Sequence, residues 1–519
     1  MGKKWFVVGG VAIIVVAVAL YAGLVIYPAS RFRTALGQVQ QFLPAGTSLS
    51  YQAADYSLFS DRASITGVSL RNSGPLAAAL TIDKIALERP SLKLGNEWQR
   101  AKSNPKALAQ DAAIPIAAAI TFSGITIRTD KVTEKIGSAQ IDQPRLYPRA
   151  LLHPGVPTWT EALAVLKTEP PPKSLSAFMP LLRFEAALAL GVGYSGAAAT
   201  DINATAEVPA AAGMPAHAVT YSIAKTDGPA NDRGVFGAGS AEYVVLQLGP
   251  PAGTMTIDRM AVSGLNARQP LEKILAHPRL TPAVLDGLAF GRIKMAGMAL
   301  KPPKGPAIAL GTFALSRIAV SDGIPVSAQL AWNGLRLTRA EMPDAKARLA
   351  FEQLGLDSMT ISLDAAYNWE LPASRLAIQD IRLNVAELGS LSLSASLIGV
   401  APSRDAFDRA SLAHAVLRYR DGSLIARSLK AAAVAMHADP AQFRHQLIAM
   451  VQGRMSEFGD SPAIAHAAKA IITFLDAPQS LTIELAPPAP VPLTTLRNSS
   501  TMAPPELASL LGLQVTANQ

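Results

Sequence analysis

The chain of 519 residues contains no cysteine. That absence excludes a disulfide framework, a thiolate metal site and a cysteine nucleophile. Aromatic residues make up 6% and charged residues 16%, while half of the chain is apolar, so its interior must be built from Ala, Val, Leu and Ile. Runs of like charge are also missing: the 47 basic and 38 acidic residues are scattered, and the net charge of +9 is gathered nowhere. Nucleic acid is therefore not an expected partner, and a mildly basic body suits an anionic membrane surface better.

Catalytic signatures are equally scarce. There is no G-x-S-x-G elbow, Walker loop, H-E-x-x-H pair or cluster of paired carboxylates. The expectation is a protein that is not an enzyme, with no catalytic residues, no cofactor and no metal. Gly191–Gly196 does fit G-x-G-x-x-G, but Ala197–Val208 after it alternates Ala and Thr as a strand would. A dinucleotide site needs a helix there, so glycines within strands are the better reading. Of the seven histidines (153, 217, 277, 414, 437, 445 and 466), His437, His445 and His466 fall among expected C-terminal helices. Convergence of those three would be needed for a metal site, and surface or interhelical packing is the ordinary alternative. Asn203-Ala-Thr205 and Asn498-Ser-Ser500 are glycosylation sequons by letter.

What the chain does have is one long uncharged run, Trp5–Tyr27, with Lys3 and Lys4 before it and Arg31 and Arg33 after it. A helix needs about 20 apolar residues to cross a bilayer. Val16 lies near the middle of the run, and Trp5, Tyr21 and Tyr27 supply amphipathic rings toward its ends. A cleaved signal peptide has a shorter apolar core and a small-x-small site, whereas Pro28-Ala29-Ser30-Arg31 is a poor one. The expectation is an uncleaved single-pass anchor with the body on the far side of the membrane.

Behind the anchor, Phe32, Leu36, Val39 and Phe42 predict a short amphipathic helix over Arg31–Leu43. Strand-like alternation begins at Ser48. A seven-residue phrase with apolar second, fifth and seventh places then recurs at Ser64–Leu70, Thr81–Leu87, Thr121–Ile127, Thr256–Val262, Lys294–Leu300, Ala314–Val320 and Ala377–Leu383. The three-residue step inside it breaks a period of two, which a bulge or bend restores. Asp83, Asp258 and Asp380 take related places in the phrase, where Asp bonding its own backbone at a turn or edge is expected.

Helices are expected near Asn104–Ala113, over Pro157–Thr168 (Trp159, Leu163 and Leu166 on one face), and over Gln269–Gly287, interrupted by Pro278 and Pro282. Glu169–Lys173 reads as a stiff linker. Strands are expected at Leu182–Tyr194, Ala197–Val208 and Ala218–Ile223, then throughout Leu288–Val400. Beyond a strand at Ser411–Tyr419 come three helices, two of them opening at Asp439-Pro440 and Ser461-Pro462, then a strand at Ser480–Leu485, an extended arm at Pro487–Pro492, and Leu507–Val515, which can pack back onto the helices. The fold class expected is α+β and β-dominated: one transmembrane helix, elongated antiparallel sheet with inserted helices, and a C-terminal three-helix segment with a closing strand. The domains expected are residues 1–30, 31–168, 174–400 and 401–519.

The anchor, the phrase running from Tyr51 through Tyr56-Ser-Leu-Phe-Ser-Asp-Arg-Ala-Ser-Ile-Thr-Gly-Val-Ser-Leu70, and Leu80–Leu87 together resemble the AsmA-like and YdgA-like envelope proteins of Gram-negative bacteria. The likeness covers mainly the first 90 or so residues, and the C-terminal helices have no counterpart in it. It implies an inner-membrane anchor and a β-rich periplasmic body forming an apolar trough for phospholipid acyl chains, in support of outer-membrane integrity. The trough lining it implies is Ile82, Ile85 and Leu87, Ile257, Met260 and Val262, Ile378, Ile381 and Leu383, and Leu391, Leu393 and Leu397. Those faces serve equally well as the closed core of an ordinary sandwich. A scaffold docking other envelope proteins without lipid is the other function kept open.

Overall fold

Antiparallel pairing governs the chain. The computed structural model describes residues 47–519 apart from 58, 73–77, 92, 106–108, 110, 130–131, 165–174, 209–215, 250–252, 278–280, 322, 343, 402–406, 457–460 and 500–501. The anchor Trp5–Tyr27, the helix expected at Arg31–Leu43 and the linker Glu169–Lys173 lie outside the described residues. Among the described residues no helix is long and apolar enough to cross a membrane. Two compact units are present, Met1–Met295 with Val320–Gly323 and Ala296–Ala319 with Ile324–Gln519.

In the first unit the edge is formed by β1 (Thr47–Ser50) and β2 (Ala53–Ser57), both paired with β3 (Arg62–Asn72). β4 (Ala78–Glu88) follows β3. After helix α1 (Leu94–Ser103) and the short β5 (Ile114–Pro115) come β6 (Ala119–Thr129), β7 (Val132–Asp142) and the short β8 (Arg145–Leu146). Helices α2 (Pro148–Leu151), α3 (Trp159–Ala164) and α4 (Met179–Gly191) lead to β9 (Val192–Gly193), β10 (Gly196–Val208) and β11 (His217–Gly228). The hairpin β12 (Asn231–Asp232) and β13 (Val235–Phe236), then β14 (Gly239–Gln247), β15 (Thr254–Ser263), β16 (Leu265–Asn266) and α5 (Arg268–Ala276), complete the series. The ladder runs β3–β4–β6–β7–β10–β11–β14–β15. β7 thus pairs directly with β10 across the proline-rich stretch that was expected to separate two domains.

The three-residue step of the repeated phrase is a crease that crosses this ladder in register. Thr66 faces Lys84 and Val68 faces Ile82, leaving Gly67 and Asp83 between them. The same gap falls at Asp83 and Gly124 and at Tyr243 and Asp258, and between β7 and β10 it widens to Ile136–Gly137 and Asp201–Ile202. Alternate strands turn left-handed there, at Gly67 (φ +61°), Gly124 (+60°), Asp201 (+57°) and Tyr243 (+52°). Because every strand changes facing at one position, pairing is kept and the apolar residues on both sides of the crease turn to one face. Ile65 and Val68 are 0% and 1% exposed as a result. Their core also holds Phe122 and Ile125, and Leu94, Ile114, Ile116, Leu146 and Val192 seal it.

The second unit continues the phrase with true bulges. β17 (Ala289–Lys301) and β18 (Ile308–Ser321) contain the boundary between the units, and β19 (Ile324–Thr338) follows. α6 (Ala345–Gln353) is inserted before β20 (Ser358–Glu370), β21 (Arg375–Val385), β22 (Gly389–Ile398) and β23 (Ser411–Asp421). Three helices come next, α7 (Leu424–Ala435), α8 (Pro440–Ser456) and α9 (Pro462–Asp476). β24 (Ser480–Leu485), β25 (Val491–Pro492), α10 (Leu493–Arg497), α11 (Pro504–Leu510) and β26 (Leu513–Ala517) finish the chain, and β26 pairs with β24. Register shifts fall at Gly334 in β19 and opposite Ala366–Tyr367 in β21.

Several expectations need correction. Leu182–Tyr194 was expected as a strand and is mostly α4, because Leu, Ala, Arg and Glu are strong helix formers. A helix not expected there, α1, precedes Asn104, and the helix expected over Asn104–Ala113 lies partly outside the described residues. α6 interrupts the β region expected to be continuous from Leu288 to Val400; Asp344 caps it by accepting from the Lys346 amide at 3.0 Å. Asp439 caps α8 as expected, accepting from Ala441 and Gln442, whereas the Ser461 side chain makes no cap bond to α9.

Candidate functional site

Strand alternation gives the sheet of the second unit one aliphatic and one polar face. Leu363, Leu383, Leu391, Tyr419 and Leu481 stand opposite one another in successive strands, and Ala365, Ile381, Leu393, Leu417 and Ile483 form the adjacent row. The reverse face carries Asp364, Arg382, Ser392, Arg418 and Thr482. None of the ten aliphatic-face residues is buried, and Leu383 and Leu391 are each 39% exposed.

Closed clusters border these rows at both strand ends. Phe351, Leu356 and Leu388, with Val385 and Met359 against them, fill one end. Leu376, Leu397, Val400, Ala410 and Leu412, with Tyr367 and Trp369, fill the other. α9 packs on β26 and presents Phe474 edge-on to Tyr419, with ring centroids 5.9 Å apart and planes at 79°. The Tyr419 hydroxyl donates to Asp421 at 2.6 Å, and burial followed by that carboxylate pushes its pKa up. Aliphatic side chains left partly exposed along such rows can take up an apolar ligand by removing apolar surface from water.

The expected lining residues divide between the two units. Ile82, Ile85, Leu87 and Ile257 are buried, the first three inside the sealed core of the first unit. Met260 and Val262 are half-buried. Ile378, Ile381 and Leu393 are half-buried, Leu383 and Leu391 exposed, and Leu397 belongs to a closed end cluster. The structure therefore gathers Ile381, Leu383, Leu391 and Leu393 on one sheet face, two half-buried and two exposed, and keeps the first triplet away from solvent.

Composition and spacing had not pointed to the polar clasp in the first unit. Asn231, 3% exposed, donates to the carbonyls of Ala189 (3.0 Å) and Val192 (2.6 Å) and accepts from the Gly234 amide (3.0 Å). Arg233 pairs with Asp111 and, at 3.5 Å, with Glu272, and its guanidinium lies 5.8 Å from the centre of the Tyr147 ring. Tyr147 donates to Asp232 at 2.7 Å, and Arg268 donates to the Asp232 carbonyl at 2.9 Å. Burial first, and then the Asp232 carboxylate, push the Tyr147 pKa up, so the phenol keeps its proton at neutral pH and offers no base. These bonds tie the end of α4 to the β12–β13 hairpin. Only the N-D-R-G sequence of Asn231–Gly234, a turn-former pattern, hints at them.

The remaining motifs resolve structurally. The glycines of Gly191–Gly196 follow a helix and enter strands, the reverse of a dinucleotide site's strand–turn–helix order. A β-carbon on Gly193 would press on the Tyr147 ring, so that glycine serves close packing. His437, His445 and His466 are all exposed, and no group of three or more potential metal ligands occurs among the described residues. Asp83 lies within a strand paired on both sides, and Asp380 pairs with Arg382 at 2.9 Å. Neither is at the turn or edge expected of it.

A family model described as an uncharacterized protein matches residues 382–518. That span runs from the end of β21 through β26 and includes the three C-terminal helices. No curated protein and no solved structure matches the chain.

Proposed function

We propose that this is a non-enzymatic envelope protein, anchored in the inner membrane through Trp5–Tyr27 with its body in the periplasm, and that the open aliphatic face of the second unit binds phospholipid acyl chains in support of outer-membrane integrity. The observation that carries the reading is the half-open state of Leu383 and its cross-strand neighbour Leu391, set against the sealed Leu87, which holds the place of Leu383 in the first unit's copy of the phrase. A face built only to close a core would be covered, as that one is. A methylene fully removed from water contributes about 0.8 kcal/mol, and one laid on a half-open face a part of that, which summed over an acyl chain offsets the cost of ordering it. The resemblance of Tyr51–Leu87 to AsmA-like and YdgA-like proteins supports the location and the class of ligand.

Photo-crosslinking in intact cells tests the proposal. A photoreactive residue at Leu391 in the full chain is expected to capture phospholipid, while one at Ser392, on the opposite face, captures none. Capture of a protein at both positions with no lipid would replace this reading with that of a scaffold.

A further inference from the structure

Two rows of the second unit's aliphatic face stand between the closed clusters, and their neighbours set that width. Val385, the next residue on the face past Leu383, packs against the cluster of Phe351 and Leu388. Past the row of Ile381 and Leu393, the next residues on the face (Tyr367, Ala415 and Leu485) pack against the cluster of Leu376 and Leu397. The two rows themselves lie two residues apart along each strand, about 7 Å. That furrow has room for one hydrocarbon chain, and a second beside it would ride over a closed cluster.

Direction follows from the same boundaries. Both strand ends are shut, so a chain can extend only across the strands. At β19 the row begins with Trp332, opposite Leu363, whose indole N–H donates to the Leu310 carbonyl at 2.6 Å. Toward the other side Phe474 of α9, 5% exposed, stands edge-on to the Tyr419 ring. From Trp332 to Tyr419 there are four strand spacings, about 19 Å. One acyl chain spans half the hydrocarbon core of a bilayer, about 15 Å, and so fits between the two aromatic residues. The α9 end is walled by a ring, and the Tyr419 hydroxyl there is already bonded to Asp421. That end suits a methyl terminus, not a headgroup.

Resting on the acyl-chain reading, we infer that the second unit takes one unbranched hydrocarbon chain, laid across the strands with its methyl end against Tyr419 and Phe474. The ligand class is set by a single chain. A lysophospholipid fills the furrow as fully as a phospholipid does, and the second chain of a phospholipid stays outside it.

The test uses the full chain in neutral detergent with lysophosphatidylcholine or phosphatidylcholine carrying a diazirine, either at the chain terminus or next to the carboxyl. Adducts are mapped by peptide mass spectrometry. Most terminal adducts from both lipids are expected on Tyr419 or Phe474, and most carboxyl-side adducts on Leu363 or Trp332. Terminal adducts at the strand ends, on Val385 or Leu376, would overturn the inference and leave the acyl-chain reading standing. The same holds for the reverse order along the row, or for adducts from phosphatidylcholine alone. A face that yields no lipid adduct would overturn both.

Discussion

The Asp83 side chain occupies the space that a β-carbon on Gly124 would fill, one strand away across the crease. Gly67 stands in the same relation to Gln52, and Gly137 to Asp201. Each pair puts a polar side chain over a bare backbone, and that is how the ladder bends without losing register. Gly124→Ala meets two costs, the left-handed backbone at φ +60° and the collision with Asp83. The expected loss is about 2–4 kcal/mol, read from urea midpoints. Adding Asp83→Ala should return the steric part and leave the backbone part in place.

Tyr243 presents the reverse case. It has φ +52° in mid-strand and its ring is largely exposed, so the side chain gains little from burial while the backbone is strained. Tyr243→Asn is expected to be at least as stable as the parent, because Asn visits the left-handed region more readily. A clear drop in melting temperature would mean that the ring packs against something on the surface.

The apolar skeleton of the ladder was legible in the sequence because the phrase repeats its second, fifth and seventh places. Glycine marks the crease openly at Gly67 and Gly124, but Asp201 and Tyr243 take the same backbone shape with residues that give no warning of it. α4 shows neither period clearly, since Arg183 and Glu185 are followed by the apolar run Ala186–Leu190, and only its Ala, Leu and Glu content favours a helix. Whether a face is covered was not legible at all. Ile82, Ile85, Leu87 and Ile381, Leu383 obey one pattern, yet the elements that seal the first set, around Leu94, Ile114 and Val192, come from other parts of the chain.

Burial pushes the pKa of Glu185, on α4, above its ordinary 4.5. The folded state then holds this proton more tightly than the unfolded chain. The group's contribution is neutral well below the unfolded value and becomes unfavourable as pH rises through the folded value, levelling off above it. Glu185→Gln should therefore raise the urea midpoint at pH 7 and have little effect at pH 4. A gain that is equal at both pH values would assign the effect to something other than the charge.

Removing the clasp should be costly in a different way. Asn231→Ala strips partners from the Ala189 and Val192 carbonyls and from the Gly234 amide in a buried setting. The expected loss is on the order of 3 kcal/mol. Asn231→Asp should not rescue it, since an ionised carboxylate cannot donate to those two carbonyls. Denaturation curves of the two variants provide the comparison.

A charge placed on each of the two aliphatic faces distinguishes an open surface from a closed one. Ile85 is 2% exposed within the sealed core, so Ile85→Glu must bury an unpaired carboxylate or break the packing around it, and the first unit is expected to unfold. Leu391 is 39% exposed, so a glutamate there can turn its carboxylate to water while its methylenes stay against Leu383 and Tyr419. Leu391→Glu is expected to cost no more than about 1 kcal/mol of stability and yet to lower the amount of phospholipid recovered with the purified chain, because an acyl chain laid on that row would have to strip water from the new carboxylate. Circular dichroism melts report the first quantity and lipid extraction followed by mass spectrometry the second. A Leu391→Glu protein that is destabilised as severely as Ile85→Glu would mean that the row is sealed in solution, and the binding surface would have to be sought elsewhere.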